Sequence, residues 1–175
     1  ERDVKMKTKG LFIEGAPIVE VDSVSRRGLD ELVQKIDELS EDIEEKKTDA
    51  PSRMSIDRVF SLKGFGTIVT GTLIEGKISV DDEMTIYPSE KKVKVRNLQV
   101  HGCDVKTAYA GQRTAINLSN IKVSEIQRGD VIAQTGSVEE SMMIDVNISL
   151  VEHCKKSLKH WDRIRIFHGT KQILC

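Results

Sequence analysis

The sequence predicts a mainly β protein: a small β-barrel, preceded by a strand and a helix and followed by an incomplete second β-barrel. Three observations indicate this fold. Apolar residues recur with helical spacing between residues 29 and 43. Short segments rich in β-branched residues, separated by turn sequences, fill residues 56–135. A second group of β-type segments begins at Met142.

The first part of the chain is predicted to be one strand and one helix. Residues 18–22 ("IVEVD") form a short apolar run typical of a strand. The apolar face of the predicted helix consists of Leu29, Leu32, Val33, Ile36, Leu39 and Ile43. A unit this small cannot bury both faces of its strand, so we expect it to be the end of a larger α/β domain. The charged run 41–53, broken by Pro51, predicts a linker.

Seven segments of the central region are predicted to be strands. They are 56–62, 66–74, 77–80, 83–88, 91–100, 113–118 and 130–134. Turn sequences such as "KGFG", "DDE" and "RGD" separate them. Many short strands in one compact region are typical of a closed small barrel.

The last part of the chain is predicted to start a second barrel. Strand patterns occur at 142–151 and again from Ile164 in "IRIFHGTKQIL". Only two or three strands of this group are present, and two strands are marginal alone in water. We therefore expect this part either to dock on the first barrel or to receive its missing strands from a longer protein. The chain begins at Glu1 without a methionine and stops within a strand pattern, so we expect a piece of a longer protein.

Composition limits the classes of function. With 27 basic and 28 acidic side chains the formal net charge is −1, so a nucleic-acid surface has to come from local clustering. No apolar run approaches the roughly 20 residues of a membrane helix, and we expect a cytoplasmic protein. The three cysteines lack zinc-site spacing, and we predict no metal site. Surface or packing roles are expected for His101, His153, His160 and His168.

Four glycines surround the first predicted hairpin of the barrel. We predict structural roles for Gly64, Gly66, Gly71 and Gly76, because glycine accepts positive φ and close backbone approach. The segment "KGFGTIVTG" lacks the dinucleotide-binding fingerprint, and the chain has no phosphate-loop fingerprint.

An acid and a base stand together at the start of the first barrel strand. Strict alternation puts Arg58 on the same face as Ile56 and Phe60, which aims its guanidinium toward the barrel interior unless Arg58 lies near the rim. A charge there needs a partner. Two interpretations stay open: a structural ion pair of Asp57 with Arg58, or of either with another neighbour, and an anion-binding arginine held by local acids.

Two further basic features are candidates. Arg113 is the first residue of a predicted strand, directly after the turn "AGQ". It is a candidate for the anion-binding site only if its side chain lies near Arg58. Lys92, Lys94 and Arg96 form one cationic face of a strand. That face is either simply solvated or meets an RNA backbone through phosphate contacts.

Four motifs occur together in one order along the chain: "IDRVFSLKGFGTIVTGTLIEGKISVDDEM", "VRNLQVHG", "AGQRTAINL" and "EIQRGDVIA". In this combination the chain resembles the second domain of translational GTPases of the elongation factor Tu type, and most closely bacterial selenocysteine-specific elongation factors. The resemblance runs from about residue 10 to the C-terminus. It implies the small translation-factor β-barrel for the central region.

The resemblance also implies domain boundaries and partners. Residues 1–49 correspond to the end of the α/β GTPase domain, 50–137 to the barrel domain 2 and 138–175 to a truncated start of the barrel domain 3. The family's GTP-binding motifs lie upstream, so this chain alone is expected to be no enzyme, and GTP and magnesium are expected in the full-length protein. The implied partners are selenocysteyl-tRNA, the ribosome and, through absent C-terminal domains, a messenger RNA hairpin.

Four residues receive a role from the resemblance. Asp57, Arg58 and Arg113 match the family's selenocysteine-binding positions, and Gln99 falls where the terminal adenosine of the tRNA is contacted. A selenol is an anion near neutral pH whereas serine is neutral, so fixed guanidinium groups favour the charged ligand. No catalytic residue is predicted.

Two alternatives differ from this function. The barrel could be domain 2 of another elongation-factor-Tu-like translational GTPase without selenocysteine specificity, for which an uncharged residue at position 113 is expected. The other alternative is a stand-alone enzyme. The absence of any motif with catalytic spacing disfavours it.

Overall fold

The computed structural model describes residues 1–44, 46–151, 154 and 157–175. His153, and Glu45 of the predicted linker, lie outside the described residues. The chain divides into two compact units. One contains the described residues of Glu1–Glu45 and Asp145–His160, and the other contains Lys46–Ile144 and Trp161–Cys175. Among the described residues, no helix combines the length and apolar character that crossing a membrane requires.

The first unit contains two helices, α1 (Arg2–Thr8) and α2 (Leu29–Glu41). The predicted helix is confirmed, although Ile43 lies beyond its end. It begins after Gly28, whose φ is 76°, and Asp30 and Glu31 occupy its first turn, where carboxylates favour a helix N-terminus.

Two predicted strands are wrong. Residues 18–22 and 142–151 form no strand. Strand propensity needs a neighbouring backbone with which to pair, and no strand borders either segment within the described part of the chain. The side chains of 142–151 accordingly stay exposed, with Met142 at 94%.

The second unit carries all the strands that the structure describes. They are β1 (Arg53–Leu62), β2 (Gly66–Glu75), β3 (Lys77–Ser79), β4 (Glu83–Tyr87), β5 (Lys91–Val100), β6 (Cys103–Val105), β7 (Thr107–Tyr109), β8 (Arg113–Ser119), β9 (Val131–Gln134), β10 (Arg165–His168) and β11 (Lys171–Leu174). A 3₁₀ turn, Val123–Glu125, precedes β9. The seven strands predicted for the central region are confirmed, and β6 and β7 are additional.

Six antiparallel strands close the barrel. Their order is β4, β9, β1, β2, β8 and β5, and β5 pairs back with β4. Strand β6 pairs with the end of β5, and β3 and β7 form a separate two-stranded sheet. The interior is filled by alternate apolar side chains of these strands, including Met54, Ile56, Val69, Leu73, Met84, Ile86, Val95, Leu98, Ile116, Leu118 and Ile132. The predicted mainly β fold is confirmed.

The barrel glycines serve different needs. Gly64, Gly66 and Gly76 lie at or beside turns with φ between 73° and 88°. Gly71 instead lies in the middle of β2, where a Cβ atom would stand 2.2 Å from the carbonyl oxygen of Ser55. Its role is close approach of two strands rather than a turn.

The C-terminal segment folds back on itself. The sequence predicted two or three strands in this region, and from Ile164 the chain forms two, β10 and β11, which pair as an antiparallel hairpin that turns at Gly169 and Thr170. Gly169 has a φ of 57°, which suits this turn.

Candidate functional site

A bulge in β1 determines the direction of the charged side chains. Ile56 lies opposite Gly71 on β2, and Arg58 lies opposite the next residue, Thr70, so Asp57 is an extra residue in the ladder. Ile56 is fully buried, whereas Arg58 is exposed. The sequence prediction that Arg58 shares the interior face with Ile56 is therefore wrong, because the bulge reverses the alternation after residue 57.

Asp57 is the centre of a hydrogen-bonded cluster on the outer face. Arg113 donates from Nη1 to Oδ2 of Asp57 at 2.5 Å and from Nη2 to Oδ1 at 3.1 Å. The hydroxyl of Thr70 donates to Oδ1 at 2.7 Å. The Asp57 side chain is 18% exposed and that of Arg113 is 53% exposed. The ion pair left open by the sequence thus joins Asp57 to Arg113, in a two-pronged geometry that fixes the guanidinium plane.

Strand register brings these residues together. Thr70 on β2 lies opposite Ala115 on β8, and Thr72 lies opposite Arg113. Arg113 is the first residue of β8, so its side chain reaches across β2 toward the bulge of β1. Two positions 56 residues apart in sequence therefore meet in one ion pair.

The pKa values in the cluster follow from its contacts. Partial burial acts to raise the pKa of the Asp57 carboxyl and is the largest single influence. Hydrogen bonds from Arg113 and Thr70, with the positive charges of Arg113 and Arg58, lower it by more, so the pKa of Asp57 lies below its ordinary value. The hydrogen bond to Asp57 and the charge of its carboxylate raise the pKa of Arg113.

Arg58 completes the cluster with an uncompensated charge. Among the described residues, none accepts a hydrogen bond from the Arg58 side chain or forms a salt bridge with it. Its charge nevertheless acts on Asp57, as the lowered pKa of that carboxyl records. Two guanidinium groups therefore surround one carboxylate, and the cluster keeps one excess positive charge.

A pocket of about 230 Å³ opens beside the ion pair. It is lined by Thr70, Gln99, His101, Gly102, Arg113, Thr114 and Ala115. The side-chain amide of Gln99 donates to Asp104 at 2.9 Å, which orients its carbonyl oxygen. The structure thus brings Gln99 and Arg113 to one pocket, and Asp57 joins it through Arg113 and Thr70.

A second pocket of about 110 Å³ shares Gln99 and Ala115 with the first. Its apolar wall consists of Leu62, Phe65 and Ile68. Asn117 also lines this pocket, and its buried Oδ1 atom receives no hydrogen bond from any residue that the structure describes. The sequence did not predict this pocket. Alternation along β8 places Arg113, Ala115 and Asn117 on one face, and this pattern could have indicated that Asn117 lies on the same surface as Arg113.

The cationic face of β5 is separate from the two pockets. Lys92, Lys94 and Arg96 are exposed, as the sequence predicted, and none of them lines either pocket. Lys94 forms a salt bridge with Asp81 at 2.8 Å, which reduces the positive charge of this face.

The lowered pKa of Asp57 predicts a pH dependence of stability. A carboxyl whose pKa falls on folding contributes stability above its unfolded pKa of about 4, and this contribution is lost as the pH falls through the folded value. We expect Asp57→Asn to reduce the free energy of unfolding near pH 6 and to have little effect near about pH 2. Urea denaturation of both proteins across this range measures the difference, and an equal effect at both pH values would contradict the prediction.

Comparison with known proteins identifies the class of fold. Residues 66–133 match the family described as elongation factor Tu domain 2. The barrel therefore has the fold of, and is similar to, a translation-factor domain 2. Over nearly its whole length the chain is similar to selenocysteine-specific elongation factors, which confirms the resemblance seen in the four motifs.

The extent of this similarity is shown by two curated relatives and one solved structure. The selenocysteine-specific elongation factor of Desulfomicrobium baculatum is 40% identical over 99% of the chain, and that of Escherichia coli is 29% identical over 99%. The crystal structure of a bacterial selenocysteine-specific elongation factor superimposes with a TM-score of 0.82 at 27% identity, covering 99% of this chain and 28% of that one. The chain spans 27% of the length of each of these two curated relatives.

Proposed function

We propose that this chain is part of a GTP-dependent, selenocysteine-specific elongation factor, and that its barrel binds the aminoacylated 3′ end of selenocysteyl-tRNA. The observation that carries the proposal is the ion pair of Asp57 and Arg113 beside an open pocket, with the charge of the neighbouring Arg58 uncompensated. Arg58 itself does not line this pocket. The names of the similar proteins support the same ligand.

Charge explains how the cluster would discriminate. Selenocysteine near neutral pH presents a selenolate anion, whereas serine on the same tRNA presents a neutral hydroxyl. A fixed guanidinium attracts the anion strongly and gains little from the hydroxyl. Bringing either aminoacyl group over Arg58 removes water from that charge, and only the selenolate compensates for this loss.

The two arginines would have different tasks. Arg113 is oriented by two hydrogen bonds to Asp57, and half of its side chain stays exposed to the pocket. Arg58 has no such restraint among the described residues and supplies the excess charge. Asp57 therefore orients one cation and limits the positive charge of the site, so that phosphate or chloride is not held as tightly as by two free arginines.

The second pocket suits the terminal nucleotide of the tRNA. Leu62, Phe65 and Ile68 offer an apolar surface on which a base can stack. The unsatisfied Oδ1 of Asn117 is a hydrogen-bond acceptor for an exocyclic amino group such as that of adenine. Gln99 lies between the two pockets, where it can contact the ribose that joins the base to the aminoacyl group.

The remaining parts of the function are assigned to the longer protein. We propose that residues 1–49 end its GTPase domain, that 50–137 form its domain 2 and that 138–175 start its domain 3. GTP and magnesium would bind upstream of this chain, and the ribosome and a messenger RNA hairpin would be further partners. Its place of action would be the cytoplasm.

The test compares one tRNA charged with selenocysteine or with serine. Its dissociation constants are measured with the full-length protein in the presence of GTP, between about pH 5 and 8. We expect strong preference for the selenocysteyl form near neutral pH and a smaller preference at acid pH, because the selenolate becomes protonated while the arginines stay charged. Equal binding at all pH values would favour a translational GTPase without this specificity. GTP hydrolysis by the 175-residue chain alone would contradict its proposed role as a binding module.

A further inference from the structure

The tip of the β10–β11 hairpin contacts β1 directly before the bulge. The hydroxyl of Thr170 donates a hydrogen bond to the carbonyl oxygen of Ile56 at 2.7 Å. The same oxygen accepts the backbone N–H of Gly129 at 2.8 Å, and the N–H of Ile56 donates to the carbonyl of Asp130 at 2.8 Å. The backbone N–H and carbonyl oxygen of Ile56 are therefore both hydrogen-bonded, and among the described residues Thr170 is the one whose side chain takes part.

The contact is close on both sides of β1. A Cβ atom on Gly169 would lie 2.8 Å from the hydroxyl oxygen of Ser55. On the opposite edge of β1, a Cβ atom on Gly71 would lie 2.2 Å from the carbonyl oxygen of the same residue. Gly169 thus lets the hairpin pack against the side chain of Ser55, and Gly71 lets β2 approach the backbone of the same residue.

The bulge needs such support because β1 loses a neighbour there. The ladder between β1 and β9 ends at Ser55, opposite Val131. From Asp57 onward β1 is paired with β2 alone. A bulge bends its strand and raises the local twist, so the direction of Asp57 and Arg58 depends on how firmly the preceding residue is fixed.

We propose that Thr170 is a positioning residue, which fixes the bulge of β1 through Ile56 and thereby sets the directions of Asp57 and Arg58. The turn of the C-terminal hairpin is then a determinant of ligand discrimination, although neither Gly169 nor Thr170 lines either of the two pockets. The consequence for discrimination rests on the proposed function. The effect on the geometry of Asp57 does not.

The geometric part is tested on the 175-residue chain by NMR titration of the Asp57 carboxyl. We expect Thr170→Val to raise the pKa of Asp57 toward its ordinary value, because a shifted bulge weakens the bonds from Arg113 and Thr70. Thr170→Ser keeps the hydroxyl and should keep the wild-type titration. The matched control is Thr67→Val, which removes a threonine hydrogen bond of the same length, 2.7 Å, to the carbonyl of Ile121.

The functional part uses the full-length protein with selenocysteyl-tRNA and seryl-tRNA. Thr170→Val is expected to reduce the preference about three- to tenfold, as loss of one positioning hydrogen bond can, whereas Thr170→Ser and Thr67→Val preserve it. If Thr170→Val fails to fold, Gly169→Ala displaces the same turn against Ser55 and should change the pKa of Asp57 in the same direction.

The outcomes separate the two proposals. A wild-type protein without preference between the tRNAs would refute the proposed function, and the Asp57 titration would still decide the role of Thr170. An unchanged Asp57 titration in both Thr170→Val and Gly169→Ala would overturn the positioning role. A change of the same size in Thr67→Val would overturn it as well, because it would indicate general loosening of the barrel.

Discussion

Replacing Arg58 by alanine is expected to reduce the preference for selenocysteyl-tRNA over seryl-tRNA roughly 10- to 100-fold, the range of one hydrogen bond to a charged partner. The loss should fall on the selenocysteyl form, because only the selenolate gains from the uncompensated guanidinium. Barrel stability should change by no more than about 0.5 kcal/mol, since Arg58 is exposed and makes no hydrogen bond or salt bridge among the described residues. Dissociation constants for both tRNAs and urea denaturation measure the two effects.

Arg96→Ala is the matched control for this variant. Arg96 is an exposed arginine of β5 that, like Arg58, lines neither pocket. Unlike Arg58 it does not act on the Asp57 carboxyl, so its removal takes away the same charge outside the cluster. Any weakening that comes from lost attraction to tRNA phosphates should affect both tRNAs equally. If Arg58→Ala also weakens both equally, Arg58 contacts phosphate and the discrimination lies elsewhere.

The barrel could be predicted from sequence because its signals are local. Alternating β-branched residues indicate strands, and short polar segments indicate turns. Both patterns can be recognised within each segment of residues 56–134 without knowing its neighbours in the fold. The failures at 18–22 and 142–151 have the same origin. Their local pattern suits a strand, but a strand also needs a neighbour, and no residue within either segment carries that information.

The bulge at Asp57 could not be predicted from β1 alone. An extra residue is visible only in the register between β1 and β2, where Ile56 and Arg58 take consecutive partners on the opposite strand. Alternation without a bulge placed Arg58 on the interior face, so a one-residue difference in register reversed the predicted direction of a candidate site residue. Gly71 approaches Ser55 closely, directly beside the bulge. The sequence contains this glycine, but its relation to the bulge can be recognised only when the strand pairing is known.

The candidate residues were accessible from sequence, but the choice of ion pair was not. Asp57 had two possible partners, the adjacent Arg58 and a distant one. Side chains of adjacent strand residues point to opposite faces in a regular strand, which disfavours the local pair, and the register of β1, β2 and β8 brings Arg113 within reach. Arg113 is therefore paired with Asp57, whereas Arg58 is not paired among the described residues. Substituting each arginine should accordingly have a different effect.

Arg113→Ala is expected to weaken binding of selenocysteyl-tRNA about 100-fold, at the upper end of the range expected for Arg58→Ala, because it acts in two ways. It removes a cation that borders the pocket, and it leaves the largely buried Asp57 carboxylate with Thr70 as its remaining hydrogen-bond donor. That uncovered negative charge repels the selenolate. Adding Asp57→Asn to Arg113→Ala removes the repulsion, so the double variant should bind about tenfold more tightly than Arg113→Ala alone.

A double-mutant cycle of dissociation constants measures this coupling between Asp57 and Arg113. Arg53 and Glu75 provide the control cycle, since they form another cross-strand ion pair on the same barrel, at 3.5 Å, outside both pockets. Arg53→Ala and Glu75→Gln should leave the preference between the two tRNAs unchanged. If the losses from Arg113→Ala and Asp57→Asn simply add, the carboxylate neither orients Arg113 nor opposes the ligand. The electrostatic account of selection would then rest on Arg58 alone.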